Sequence, residues 1–499
     1  MRISAIDRAR ATPRRRHAPW IALLVATLSG CMAGPNYHRP EVAVPDHYLG
    51  ATALTADSPA AALNDWWSGF HDAALDAVVE RAATQNLDLR AAKARIVQAR
   101  AMARRSGADL YPQGSVDGSV ARQRQSLLSP EGRLARSLPG YARDQTLQEI
   151  FAGASWEADP AGGLRRRARA ERDAAQAVEA DRLFLRVSVV AEAADAYFRI
   201  RQAQSNLALL QGQVEADRRL VGLTIARVAA GAATRRTEDD ARTVLEADQA
   251  ELDGLQDELR RQGFRLDVLM GDAAGTDRFH LRAAIATSWS VPGIPASIRP
   301  AELMRRRPDV MAAERRLAAQ TERVGIALSQ YYPSLSLGAL LGFERLGAGN
   351  LIESAAFQPA LLAGIHWRLF DFGQIDAEVA EARGGRAEAL AQYRQTVLRA
   401  AENVENALSS LARVDAQERR WQRTVDADAR SLSSVERSFR AGASSMMDVL
   451  QRRRTLLAAR RMRTTLRADR ALASVEVFRA LGGGWSPNRA SLLAESPAR

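Results

Sequence analysis

Cysteine is almost absent from this 499-residue chain: Cys31 is the only one. That excludes an internal disulfide and any zinc cluster built on cysteines. The six histidines (His17, His38, His47, His71, His280 and His366) never fall at helical metal-ligand spacing, so HExxH chemistry is missing. Lysine occurs once, at Lys93, and the formal net charge of +12 is therefore carried by arginine. The first 30 residues hold six arginines and one aspartate, which leaves only a modest excess on the rest. The triplets Arg165-Arg166-Arg167, Arg305-Arg306-Arg307 and Arg452-Arg453-Arg454 are short and interleaved with acids. They read as solvated helix faces, and no nucleic-acid partner is expected. Aromatics make up 6% and prolines number 18, too few for a large β-sandwich or a disordered chain. With 26% charged residues the chain is too polar for a multi-spanning helical membrane protein. What is abundant, Ala, Leu, Arg, Glu and Gln, favours long helices.

The N-terminus has the layout of an export signal. Arg14, Arg15 and Arg16 precede an apolar run from Trp20 to Leu28, too short to span a bilayer but suited to a signal core. The run ends in Leu28-Ser29-Gly30-Cys31, which resembles the bacterial lipobox. Cleavage before Cys31 would leave its thiol to carry a diacylglycerol and its amine an N-acyl chain; the alternative is an inert buried cysteine. Met32 follows rather than aspartate, which by analogy with the lipoproteins this motif resembles favours sorting to the outer membrane. No later segment has 18 consecutive apolar residues, so any further crossing must be by β-strands.

The chain repeats itself. Tyr111-Pro112 and Tyr332-Pro333 stand at an offset of 221, with Ala91-Ala92 matching Ala312-Ala313 and Arg95 matching Arg316. Further on the offset is 211: Trp156 matches Trp367, Gly162 matches Gly373, and Ala230-Gly231-Ala232 matches Ala441-Gly442-Ala443. Each half reads helix, strand, loop, strand, very long helix, turn, helix. Leu185, Val189, Ala193, Ala196, Ile200, Ala203, Leu207, Leu210 and Val214 recur at steps of three or four. Leu390, Tyr393, Val397, Ala401, Val404, Leu408 and Leu411 do the same. Such stripes predict coiled-coil seams. A helix from about Leu164 to Ala229 would run roughly 100 Å, too long to lie inside one compact domain.

The strands are expected to start after Pro112 and Pro333. In Pro333–Phe343, Leu335, Leu337, Ala339, Leu341 and Phe343 alternate with Ser334, Ser336, Gly338 and Gly342, with Leu340 an exception. In Pro359–Phe370, Leu361, Ala363, Ile365, Trp367 and Leu369 alternate with Gly364, His366 and Arg368. The first half alternates more weakly, through Val116 and Val120, then Ile150, Ala152, Ala154 and Trp156. Apolar-out, polar-in alternation over about ten residues is the pattern of a transmembrane barrel; an ordinary half-buried hairpin is the plainer alternative. Four strands cannot close a barrel, so crossing lipid would require oligomerisation.

Together these stretches resemble the TolC-like outer-membrane efflux family, in particular its NodT-type lipoprotein members that serve RND pumps. The resemblance rests on Trp66-Trp67 with Phe70, Asn86-Leu87-Asp88-Leu89, Arg305-Arg306-Arg307-Pro308-Asp309, Tyr332-Pro333-Ser334-Leu335-Ser336-Leu337, Leu369-Phe370-Asp371-Phe372-Gly373, Asn403-Val404-Glu405-Asn406-Ala407-Leu408 and Ala480-Leu481-Gly482-Gly483-Gly484-Trp485. It implies an α+β membrane protein: a homotrimer whose protomers each give four strands to one β-barrel, with long helices forming a coiled-coil barrel across the periplasm. It also implies a periplasmic membrane-fusion adaptor and an inner-membrane RND pump as partners, with outer-membrane lipid around the strands. The chain departs from the family at Asp159-Pro160-Ala161-Gly162-Gly163 and at the first helical tip, Thr234-Arg235-Arg236-Thr237-Glu238-Asp239-Asp240.

The resulting division is a signal peptide 1–30, a lipidated segment 31–70, a first repeat 71–271, a linker 272–299, a second repeat 300–484 and a tail 485–499. No catalytic constellation, phosphate loop or metal cluster is expected, and no cofactor beyond the lipid on Cys31. Gly231 and Gly442 mark two helical tips, where glycine permits positive φ and where the resemblance implies adaptor docking. Asp448 matches a gating aspartate of the family; Gln451 stands where a second acid is usual. Three Asp448 carboxylates around a threefold axis would repel and raise at least one pKa; the local alternative is a helix N-terminal acid. The expected function is a passive outer-membrane efflux duct. The exit duct of a type I secretion system is the close alternative, with a structural tether or an enzyme behind it.

Overall fold

The computed structural model describes residues 32–42, 45, 47–49, 62–279, 281, 290–294 and 306–486. The signal peptide, Cys31 and Arg305 lie outside the described residues. By contacts the chain divides into two units that each draw on both halves of the sequence. None of the described helices is long and apolar enough to cross a membrane.

The first unit, residues 1–38, 99–174 and 316–389, holds the sheet. Its strands are β1 (Gln113–Arg124), β2 (Asp144–Ala158), β3 (Ser334–Leu346) and β4 (Phe357–His366), antiparallel in the order β1-β2-β3-β4. β1 and β2 begin and end the loop of Gln125 to Arg143, which carries a short helix, α3 (Pro130–Ala135). Register puts Ala154, Ala339 and Leu361 in one row, Val116, Ala152 and Leu341 in the next, and Ile150, Phe343 and Phe357 in a third. This face is apolar; the other carries Ser115, Asp117, Ser119, Glu149, Glu157, Ser336, Glu344 and His366. Large apolar side chains on the polar face sit over cross-strand glycines: Leu340 over Gly153, Phe151 over Gly342 and Leu362 over Gly338. The exception at Leu340 is thus explained by the space its partner leaves. The fourth strand stops at His366, four residues before the expected Phe370. Its last partner is Ser334, and Pro333 before it has no N–H to continue the ladder. Trp367 instead donates its indole Nε1–H to the Tyr331 carbonyl at 3.0 Å, and Asp371 accepts from Gly373 N–H and Ile375 N–H to start the next helix.

The second unit, residues 39–98, 175–315 and 390–499, is helical. It contains α1 (Ala73–Gln85), α5 (Arg235–Leu269) and α8 (Met446–Ala480). Four helices contribute to both units: α2 (Leu87–Ala108), α4 (Gly163–Ala229), α6 (Pro308–Ser329) and α7 (Gln374–Arg440). The expected seams are interior. Val189, Ala193, Ala196, Ile200, Ala203, Leu210 and Val214 of α4 are buried, as are Tyr393, Val397, Val404, Leu408 and Leu411 of α7. The main core gathers Trp66, Trp67, Phe70, Tyr197, Phe198 and Phe478; Trp66 stacks on Phe478 at 5.4 Å and Phe70 meets Phe198 at 4.9 Å. Gly483 lies against this core so closely that a Cβ would come within 2.8 Å of the Trp66 ring.

The arginine triplets are not uniformly solvated, contrary to their short, mixed-charge pattern. Arg307 is buried, bonds Asp309 at 2.7 Å and donates to the Ala480 carbonyl at 2.8 Å. Arg306 donates to the Trp485 carbonyl at 2.9 Å. In the sheet unit Arg166 is fully buried and donates to Glu322 at 2.9 Å, to Gly34 O at 2.8 Å and to Pro35 O at 3.0 Å. A planar, multiply donating guanidinium can satisfy several carbonyls at once, and these chain ends supply them.

Candidate functional site

The two helical tips are built alike. At the end of α4, Gly231 has φ +70°, its N–H donates to Val228 O at 3.0 Å, and Ala232 N–H donates to Arg227 O at 2.8 Å. At the end of α7, Gly442 has φ +77°, its N–H donates to Phe439 O at 3.0 Å, and Ala443 N–H donates to Ser438 O at 2.8 Å. This paired pattern satisfies the last helical carbonyls and needs a left-handed residue, which glycine supplies without strain. A Cβ at either position would meet nothing within 4 Å, so backbone conformation alone demands glycine there. Thr234 caps α5 and Ser445 caps α8. Arg227 spans the two turns, donating to Ala232 O at 3.2 Å and contacting Met447 Sδ at 3.3 Å.

Asp448 closes a capping box on α8. Its Oδ2 accepts from Ser445 N–H at 2.9 Å and from Ser445 Oγ at 2.7 Å, while Asp448 N–H donates to Ser445 Oγ at 3.2 Å. These hydrogen bonds, the hydroxyl's first, hold the Asp448 carboxyl below its ordinary value. Within one chain the pull is therefore downward, opposite to the repulsion expected of a threefold ring. Asp448 and Gln451 both line an open cleft of about 800 Å³ with Gln213, Ser438, Arg452 and Arg454. The two positions singled out on α8 are thus brought together, one turn apart, on one cleft wall.

Pro112 and Pro333 immediately precede β1 and β3. Near them the segment after Cys31 is fastened: Ala33 N–H donates to Ala161 O at 2.9 Å, and the Met32 side chain covers Gly162, where a Cβ would approach it to 2.6 Å. The unusual glycine-rich turn makes room for this segment. No group of three or more potential metal ligands occurs among the described residues.

The sequence reading missed a polar cluster in the α4 seam. Asp217, buried, faces Asp248 of α5 and pairs with Arg454 Nε of α8 at 3.2 Å. Gln213 Nε2 donates to Asp248 Oδ2 at 2.5 Å. Burial, then the Asp248 carboxyl, push the Asp217 carboxyl up to about 7 against the pull of Arg454. A signal was present: Gln213 and Asp217 lie three residues beyond Leu210 and Val214, on the same stripe.

The sequence model of the family described as outer membrane efflux protein matches residues 78–272 and 300–483. A pyoverdine export outer membrane protein of Pseudomonas putida is 31% identical over 445 residues, covering 89% of this chain and 92% of its own. Nodulation protein T of Rhizobium leguminosarum bv. trifolii is 28% identical, covering 95% of this chain and 98% of its own. The solved structure of the outer-membrane channel OprN superposes with a TM-score of 0.79 at 29% identity, covering 92% of this chain and 100% of that one. On this fold, these tips and these matches, the chain belongs to the outer membrane efflux protein family, and its place is the outer membrane.

Proposed function

We propose that this protein is the outer-membrane duct of a tripartite RND-type efflux pump, a passive exit for small molecules. One observation carries the reading: a four-stranded sheet has one apolar face and two edge strands that pair with nothing else among the described residues. On those edges Val116, Val120, Leu361 and Ile365 are 73–90% exposed. Unpaired edges and an uncovered apolar face are costly in water. Both are resolved when three copies join edge to edge in lipid, closing a barrel with its polar face inward. The two halves act as structural repeats, each giving a 22-residue helix, two strands, a 67-residue helix and a 35-residue helix.

Acylated Cys31 anchors the mature chain in the outer membrane, and the tips at Gly231 and Gly442 receive the helical hairpins of a periplasmic adaptor. Asp448, with Gln451, lines the periplasmic constriction. The energy for transport comes from the inner-membrane pump, so the duct's own chemistry is limited to shape and charge. Relatives are named for pyoverdine export and for nodulation, and we propose the cargo only as a small molecule without naming one.

The test is conductance of the purified, lipidated protein in planar bilayers, with Asp448→Ala and Ser445→Ala alongside. Small currents that enlarge in Asp448→Ala but not in Ser445→Ala establish a channel gated by the carboxylate. Equal enlargement in both assigns closure to the helix cap. Large currents in all three keep the duct and remove the gate. Absence of current from folded trimers of all three overturns the duct and leaves a tether.

A further inference from the structure

We propose that Asp217 and Asp248 form a proton-binding site in the helical seam beneath the tips, holding one shared proton, and that its occupancy sets how firmly the start of α8 is held. The gating half of this inference rests on the duct reading above.

The site is built rather than accidental. Asp217 is 2% exposed, and its Oδ2 has no hydrogen-bond partner. Gln213 is 5% exposed and its Oε1 is likewise without a partner, although its Nε2 donates to Asp248. Buried oxygens left unsatisfied are rare and costly. A proton on the carboxyl pair removes that cost at Asp217, because an O–H between Asp217 and Asp248 turns two facing acceptors into a donor and an acceptor. Two carboxylates in contact with limited water cannot both ionise freely.

The surroundings define the charge balance. From α8, Arg454 pairs with Asp217 at 3.2 Å. From α5, Asp248 is the facing acid, and Glu251 further along is paired with Arg461 of α8. On α4, Glu215 is paired with Arg219 on the exposed side. α7 contributes uncharged Val435 and Ser438 to the adjoining cleft, which Arg452 and Asp448 also line. With one proton bound, the pair carries a single negative charge that Arg454 neutralises. Without it, a buried excess negative charge separates α4 from α5.

The consequence reaches the tip through α8. Arg454 sits on the same helix as Asp448 and Gln451, and Gln213, Arg454, Asp448 and Gln451 line one cleft. Protonation tightens the α4–α5 seam against which Arg454 of α8 is paired; deprotonation sets the two carboxylates against each other, and because Arg454 offsets only one of the two charges, the seam under α8 loosens. For a carboxyl raised above its unfolded value, the native state binds more protons than the open one, so local stability falls as pH rises through the window up to about 7. The duct is therefore held shut in mild acid and loosened above neutrality.

The test is hydrogen exchange on the full-length trimer at pH 6 and pH 8, corrected for intrinsic rates, with conductance recorded in parallel. Wild-type peptides around residues 213–217, 248 and 454 should be about tenfold better protected at pH 6, and currents should be larger at pH 8. Asp217→Asn, close to isosteric with the protonated acid, should abolish both differences; Asp248→Asn serves if that variant fails to assemble. An equal pH effect in wild type and both variants overturns the proton site. An exchange difference that tracks Asp217 without any change in existing currents overturns the gating role. Loss of current in every protein with the exchange difference intact removes the duct reading and leaves the proton site standing.

Discussion

Trp156 and Trp367 make the same hydrogen bond in the two halves of the chain. Each indole Nε1–H donates at 3.0 Å to a backbone carbonyl two residues past the end of a helix, Leu110 after α2 and Tyr331 after α6. The base of the sheet is thus locked twice to the turn that feeds it. Indole has an apolar body and one donor, which suits the edge of a bilayer where one end is dry and the other wet.

If the apolar face meets lipid, neighbouring positions on β3 should respond oppositely to the same charge. Leu337→Arg places a guanidinium on the lipid side and should cost on the order of 2–4 kcal/mol near the midplane, less toward an interface. Ser336→Arg points to the polar face and should be tolerated. Urea unfolding of the trimer in vesicles, followed by gel mobility, measures the difference.

Arg166 should be far less replaceable than exposed Arg167 beside it. Arg166→Ala leaves Glu322, itself 5% exposed, without its guanidinium. Breaking a buried pair from one side costs about 3–5 kcal/mol. The expected outcome is a markedly lower denaturation midpoint and faster proteolysis near residues 34–36, which Arg166 also holds. Limited proteolysis with N-terminal sequencing reads both.

Gly442→Ala should disturb the tip and little else. With φ +77° and open space around the position, the penalty is conformational, roughly 1–2 kcal/mol. Exchange of amides 439–446 should accelerate while helix content by circular dichroism is unchanged. Gly231→Ala should behave alike at the first tip.

The capping box predicts an acid limit for α8. Asp448 is depressed by its Ser445 bonds, so the cap's contribution is present above the ordinary carboxylate range. It is lost as pH falls through the depressed value. Protection of amides 446–449 should therefore persist into mild acid in the wild type. In Ser445→Ala it should be weaker at neutral pH and disappear at higher pH. Exchange profiles between pH 3 and 7 distinguish the two.

Much of this protein is legible one residue at a time. The seam of α4 appears as a recurrence of Leu and Ala from Leu185 to Val214, and the structure begins that helix at Gly163 and ends it at Ala229. Pro112, Pro333, Gly231 and Gly442 announce strand starts and helix ends because proline and glycine act through local backbone geometry. Alternation located the strands, since side chains on a strand repeat every second residue. Periodicity cannot show which partner a charged side chain will find. Arg166 and Arg307 read as surface charges and Asp217 drew no notice, yet each is buried against groups remote in the chain: Glu322, the Ala480 carbonyl, and Asp248 with Arg454. Local propensity and pattern determined the elements. Only the tertiary structure decided which charges leave water, because the cost of burying a charge is set by partners that folding alone brings within reach.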